Sequence, residues 1–257
     1  MLGIYLTCGY PNLSTTKKAL RILDDKGVDL IELGVPFSDP LADGPVIQKA
    51  SFQALQNGVN LNTIFNLVAE LQNEGCNANE KKGLNNIILF SYFNPLFNYG
   101  FDRLIEKCLE TKIRGVLIAD LPIEEAQELS QKFKAAGLDL ILLVAVTSSN
   151  ARIEKISELS EPWIYLVSRT GVTGSQEDIK KLEQKTTNYD ERLKEIIQTI
   201  KAKSNKKIGL GFGIDSKAKV EHALDLGADM AIIGSKTVKL LEDASLKDFA
   251  AFLDELL

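Results

Sequence analysis

A glutamate inside an apolar run and an aspartate at the end of the loop that follows are the residues best suited to acid–base chemistry. They are Glu32 and Asp43, within Leu30-Ile-Glu-Leu-Gly-Val-Pro-Phe-Ser-Asp-Pro-Leu-Ala-Asp-Gly-Pro45. The stretch begins as a buried strand and ends as a polar loop punctuated by proline. Burial raises the pKa of a carboxyl group, and solvation leaves it low, so the two are expected to titrate apart. A carboxylate inside a protein costs several kcal/mol unless it is paired or protonated, about the penalty of burying any charge. Glu32 is therefore expected to have a task or a partner. Asp43 has a plainer reading as well: Asp-Gly-Pro is also a turn into a helix whose N-terminus welcomes negative charge. The one histidine, His222, lies in a stretch of helical character, Lys217–Leu226. Acid–base work would thus fall to carboxylates, lysine or tyrosine rather than to histidine.

A second set of residues suits an anion. Three late segments carry glycine just after an apolar run: Ser168-Arg-Thr-Gly-Val-Thr-Gly174, Gly209-Leu-Gly-Phe-Gly213 and Ile232-Ile-Gly-Ser235. Glycine lets backbone N–H groups approach a phosphate closely, and a helix starting after it adds a favourable dipole. Gly213 and Gly234 can offer N–H groups and Ser235 a hydroxyl. Taken alone, such glycines also serve close packing.

These residues need a scaffold, and the chain reads as strand and helix in alternation. Strands are expected at Ile4–Thr7, Val28–Leu33, Asn86–Phe90, Gly115–Ala119, Leu140–Val146, Trp163–Val167, Lys207–Gly211 and Met230–Gly234. Helices are expected at Ser14–Leu23 with Ser14 as N-cap, from Pro45 to Asn57, at Leu61–Leu71, Phe101–Leu109, Glu124–Ala136, Ala151–Leu159, Tyr189–Lys203, Ser216–Leu226, Val238–Leu241 and Leu246–Leu257. Strands alternating with helices imply a parallel sheet with helical crossovers, and eight such units predict an α/β fold of the (β/α)8 TIM-barrel type. A doubly wound sheet usually has a phosphate loop after its first strand, and Thr7-Cys-Gly-Tyr-Pro11 is not one. No linker breaks the 257 residues, so a single domain, 1–257, is expected. Barrel chemistry sits just after the strands, where Glu32, Asp43 and the glycines all fall. Asn73–Asn85 follows a helix and reads as a polar insertion on the opposite face.

Composition narrows the class. Apolar residues make up 45% and charged residues 25%, with a net charge of −5, which argues against a nucleic-acid surface. No apolar run approaches the ~20 residues of a membrane helix. No signal peptide is visible at the start. Cys8, Cys76 and Cys108 show no CxxC spacing, which suits a reducing compartment and makes a metal site unexpected.

The stretch from Glu32 to Pro45 resembles the signature of the tryptophan synthase α subunit family. The likeness continues through Tyr92-Phe-Asn-Pro95, Ala119-Asp-Leu-Pro122, Ser168–Gly174, Gly211-Phe-Gly213 and Gly234-Ser235, in order and over nearly the whole chain. Other phosphate-binding barrels would share the last two motifs but not the long second loop. The resemblance implies a lyase that splits indole-3-glycerol phosphate into indole and glyceraldehyde 3-phosphate, a step of tryptophan biosynthesis. It implies no cofactor in this chain, with pyridoxal phosphate only in a partner β subunit of an α2β2 assembly. By motif, Glu32 is the principal acid–base residue and Asp43 the second carboxylate. Tyr165 lines the site, Phe90 and Phe212 are walls of the indole pocket, and Tyr5 matches an aromatic position. Gly174, Gly213, Gly234 and Ser235 hold phosphate, while Asp39, Pro40, Asn94 and Asn98 face the partner.

The implied chemistry fits the residue types. Protonation of indole C3 makes a cationic ring, which Asp43 would stabilise by accepting a hydrogen bond from the ring N–H. A base must then take the neighbouring hydroxyl proton. One carboxyl that gives a proton and later takes one, Glu32, serves both needs. Pro36–Asp43 and Arg169–Gly174 are expected to close over the ligand, with Thr173 touching Asp43. The family usually has a helix ahead of its first strand, so Met1 is not expected to be the natural start. Cytoplasm and plastid stroma both fit. Two rivals remain at this point: another phosphate-sugar lyase or isomerase of the same fold, and a non-catalytic subunit that only activates its partner.

Overall fold

The computed structural model describes residues 1–76, 84, 86–168, 186–211, 213–244 and 246–257. Eight parallel strands close into a barrel in sequence order. They are β1 (Leu2–Thr7), β2 (Leu30–Gly34), β3 (Ile87–Ser91), β4 (Gly115–Ile118), β5 (Asp139–Ala145), β6 (Trp163–Val167), β7 (Lys207–Gly211) and β8 (Met230–Ile233). β1 closes the ring on β8 through Leu2↔Ala231 to Ile4↔Ile233. The expected (β/α)8 architecture is thus the observed one.

Alternation along each strand separates two cores. Leu30 on β2 joins the barrel-interior cluster of Tyr5, Ile88, Phe90, Leu117, Ile141, Trp163, Tyr165, Met230 and Ile232. Its neighbours Ile31 and Leu33 join the cluster beneath the helices, with Ile4, Leu6, Leu89 and Val116. Both faces of the sheet are covered, which is why these strands read as nearly continuous apolar runs. Glu32 shares the inward parity of Leu30, and the barrel therefore encloses a carboxyl group.

The helices among the described residues are α1 (Leu13–Asp25), α2 (Pro45–Gln56), α3 (Leu61–Cys76), α4 (Phe93–Tyr99), α5 (Phe101–Glu110), α6 (Ile123–Ala135), α7 (Asn150–Leu159), α8 (Thr186–Lys203), α9 (Lys217–Asp225), α10 (Ser235–Leu241) and α11 (Leu246–Leu256). Three helices and one strand differ from expectation for local reasons, and α8 and α10 each start three residues earlier than expected. The cap of α1 is Asn12 rather than Ser14, because the Asn12 side-chain Oδ1 accepts the Thr15 N–H at 2.9 Å. β2 starts at Leu30 rather than Val28, because the Val28 N–H turns back to the Leu23 carbonyl and closes α1. α3 runs past Leu71, carrying Gln72, whose amide donates to the Leu84 carbonyl at 2.7 Å, and Glu74, which pairs with Lys17 and Arg21 of α1. α4 was not expected at all. Pro95 falls in its first turn, where a missing N–H costs nothing, and Gly100 ends it at φ +89°.

Candidate active site

Glu32 is 1% exposed, and its Oε1 has no hydrogen-bond partner among the described residues. Burial alone pushes its carboxyl group up to about 8. Three aromatic rings surround this part of the barrel. Tyr5 meets Phe90 edge-on at 5.4 Å, and Phe90 meets Tyr165 edge-on at 6.5 Å. Glycine makes the room for both phenols. A Cβ on Gly34 would stand 2.3 Å from the Tyr5 hydroxyl, and one on Gly211 would stand 1.9 Å from that of Tyr165. Both hydroxyls are held neutral, first by burial and then by the field of Glu32 and Asp43. The two carboxyl groups therefore address one aromatic chamber.

The expectation of a solvated Asp43 fails. Asp43 is 5% exposed, and burial raises it to about 6, partly offset by a hydrogen bond. The donor is Tyr92, whose hydroxyl gives its proton to Asp43 Oδ2 at 3.0 Å and accepts the Ala42 N–H at 3.0 Å. The second loop is also tied to α2. Ser51 Oγ accepts the Phe37 N–H at 2.8 Å, and the Gln48 side chain donates to the Asp43 carbonyl at 2.9 Å. Burial lifts both carboxyls, Glu32 to about 8 and Asp43 to about 6, and the Tyr92 hydrogen bond holds Asp43 the lower of the two.

Tyr92 is the residue that site selection from sequence missed. It follows the end of β3, two positions beyond Phe90, so continuing the inward alternation would have found it. Its ring lies 5.2 Å from Phe37, which fixes the start of the loop as the hydroxyl fixes its end.

β7 pairs with β8, so Gly213, Gly234 and Ser235 follow neighbouring strands. Gly213 takes φ +80°, a conformation that glycine adopts without penalty. Gly234 precedes α10 and Ser235 opens it. Thr237 of α10 donates to the Tyr5 carbonyl at 2.7 Å, which locks this end against β1. Thr173, Gly174 and Phe212 lie outside the described residues. Asp39 is exposed and Pro40 half-buried on the second loop, and Asn94 and Asn98 are exposed on α4, joined by a 3.1 Å hydrogen bond. Two apolar side chains stand out beside them, Leu41 at 75% exposure and Phe97 at 60%.

The family model for the tryptophan synthase alpha chain matches residues 2–254. The chain belongs to the tryptophan synthase alpha chain family. It is accordingly an indoleglycerol-phosphate lyase of tryptophan biosynthesis, as its motifs implied. The tryptophan synthase alpha chain of Acaryochloris marina is 44% identical over 94% of this chain and 84% of its own length. That of Microcystis aeruginosa is 42% identical over 98% of this chain and 88% of its own. Among solved structures, Mycobacterium tuberculosis tryptophan synthase superposes with a TM-score of 0.83 at 31% identity, covering 99% of this chain and 90% of that one. The tryptophan synthase α2β2 complex of Pyrococcus furiosus, described for its mutual activation, gives 0.83 at 29% identity, covering 99% and 96%. Among the described residues, no helix is long and apolar enough to cross a membrane.

Proposed function

We propose that Glu32 is the proton donor and acceptor of the lyase reaction and that Asp43 is the carboxylate facing the ring nitrogen. The observation that carries this reading is the buried Oε1 of Glu32, without a hydrogen-bond partner among the described residues, inside an aromatic chamber. A carboxyl raised to about 8 still holds its proton at neutral pH and can give it to indole C3. Asp43, raised only to about 6, is ionised at the same pH and can accept the ring N–H while the ring becomes cationic. Glu32, now a carboxylate in a site that disfavours its charge, takes the hydroxyl proton that releases the aldehyde. Indole and glyceraldehyde 3-phosphate leave, and Glu32 regains its starting state.

Gly213, Gly234 and Ser235 hold the phosphate in this reading, with Gly174 contributing from the sixth loop. Tyr5, Phe90, Tyr165 and Phe212 bound the ring, and Thr173 meets Asp43 on closure. A pyridoxal-phosphate β subunit docks on Asp39, Pro40, Asn94 and Asn98. The exposed Leu41 and Phe97 give that surface apolar area. The chain works as one domain in a reducing compartment, cytoplasm or plastid stroma, and the unpaired, buried Cys8 and Cys108 agree with this.

Indole release by the purified chain, with and without a β subunit, tests the activity. Glu32→Gln is expected to bind a phosphate-bearing substrate analogue as the wild type does, yet lose about 10²-fold or more in turnover. Cleavage by that variant at the wild-type rate would refute the assignment.

A further inference from the structure

Tyr5 brings more than a ring to the chamber. Among the described residues its hydroxyl has one hydrogen-bond partner, Thr7 Oγ1 at 3.2 Å, and both side chains are buried. Thr7 Oγ1 has no second partner there. Two hydroxyls hold two protons, and one bond between them uses one. The other proton is left without an acceptor in a buried site, which a protein tolerates only where a ligand or water will supply one.

The position of that proton narrows the acceptor. β1 lies between β8, which carries the proposed phosphate site, and β2, which carries Glu32. Tyr5 is the register partner of Glu32, yet its hydroxyl reaches the slot that Gly34 leaves empty, one inward position nearer the mouth. Its backbone carbonyl is held by Thr237 from the phosphate side, and its ring packs on Phe90 from the ring side. A ligand that joins a phosphate at β8 to a ring beside Glu32 must pass this hydroxyl with its connecting chain. No hydrogen bond joins Tyr5 to either carboxylate among the described residues.

We propose that the Tyr5 hydroxyl donates a hydrogen bond to a hydroxyl oxygen of the substrate's glycerol chain and so selects a hydroxylated chain over a plain alkyl one. Thr7 then donates to Tyr5 and fixes the direction of the phenol. This inference rests on the lyase reading, and it makes Tyr5 a specificity-determining residue in addition to an apolar wall.

The test compares two ligands in Tyr5→Phe, which keeps the ring and removes the hydroxyl. One is indole-3-glycerol phosphate, followed by kcat/KM. The other has a plain propyl chain between indole and phosphate, followed by its inhibition constant. Loss of one uncharged hydrogen bond is expected to lower kcat/KM about 5- to 10-fold and to change binding of the propyl analogue less than about 2-fold. Thr7→Val should show the same selectivity with a smaller loss, and Thr7→Ser should restore it. These two variants carry the test if Tyr5→Phe does not fold. Equal weakening of both ligands would mean that the phenol only shapes the chamber, and no change in either would remove its role; both outcomes overturn the proposal. A wild-type chain that binds the propyl analogue but shows no selectivity loss in these variants fails this inference alone. One that neither binds the analogue nor releases indole fails the lyase reading with it.

Discussion

Acidic residues at the two ends of this barrel live under opposite conditions. At the end where strands begin, Asp29 accepts the Leu2 N–H at 2.7 Å and Asp229 accepts the Ile208 N–H at 2.9 Å. Asp139 lies 3.4 Å from the Arg114 guanidinium. At the end where strands finish, Glu32 is more deeply buried and has an oxygen with no hydrogen-bond partner among the described residues, while Asp43 keeps a side-chain bond from Tyr92. The first group ties strand starts together and stays at the edge of solvent. The second is sheltered from water and under-supplied with donors, and burial raises both of its carboxyls, as it also raises Asp139 despite the Arg114 guanidinium beside it. With the roles proposed for Glu32 and Asp43, partner supply, more than acidity of type, separates a structural carboxylate from a chemical one in this fold.

Substitutions at the two ends should break that contrast in different observables. The largest effect is expected at Glu32→Gln, with turnover down about 10²-fold or more and stability raised at alkaline pH. The sign follows from the proton count. The unfolded chain releases the Glu32 proton near its ordinary value of 4.5, while the folded chain holds it to about 8. Folded stability therefore falls as pH rises across that window and is level above it, a cost of a few kcal/mol that the amide removes. Thermal melts of both proteins at pH 5 and pH 9 would read it: the variant should gain on the wild type only at the higher pH.

Asp229→Ala should do the reverse. It leaves the Ile208 N–H without its acceptor, so a loss of about 1–2 kcal/mol in urea unfolding is expected, with kcat kept within about 2-fold. A large kcat loss there would erase the distinction between the two ends. The smallest effect is expected at Tyr92→Phe. The Tyr92 bond lowers the Asp43 pKa, so its removal should move the acid limb of the kcat/KM profile upward from about 6 and leave the alkaline limb, set by Glu32, in place. Movement of both limbs together would show that Tyr92 acts on the whole chamber rather than on Asp43.

Most of the fold was legible because the barrel repeats one pattern. Apolar strands covered on both faces, each followed by an amphipathic helix, leave few alternatives. The misses came where a local bond outweighed the pattern. Pro95 lay in no expected helix but fits the first turn of α4, and Val28 looked like strand but serves the end of α1. In the site, Glu32 was legible because a charge within an apolar run stands out. The setting of Asp43 was not, since it is buried and its hydrogen bond comes from Tyr92, a residue 49 positions away that a one-dimensional reading of a polar loop does not bring near. The hydroxyl of Tyr5 was equally hidden. Its chemistry depends on the empty slot at Gly34 on the next strand.

The central claim is that Glu32 is a protonated, buried acid at neutral pH. Carbon-13 NMR of the side-chain carboxyls, with the Glu32 resonance assigned by its loss in Glu32→Gln, measures this directly. A titration midpoint near 8 is predicted. A midpoint near the ordinary glutamate value of about 4.3 would contradict it.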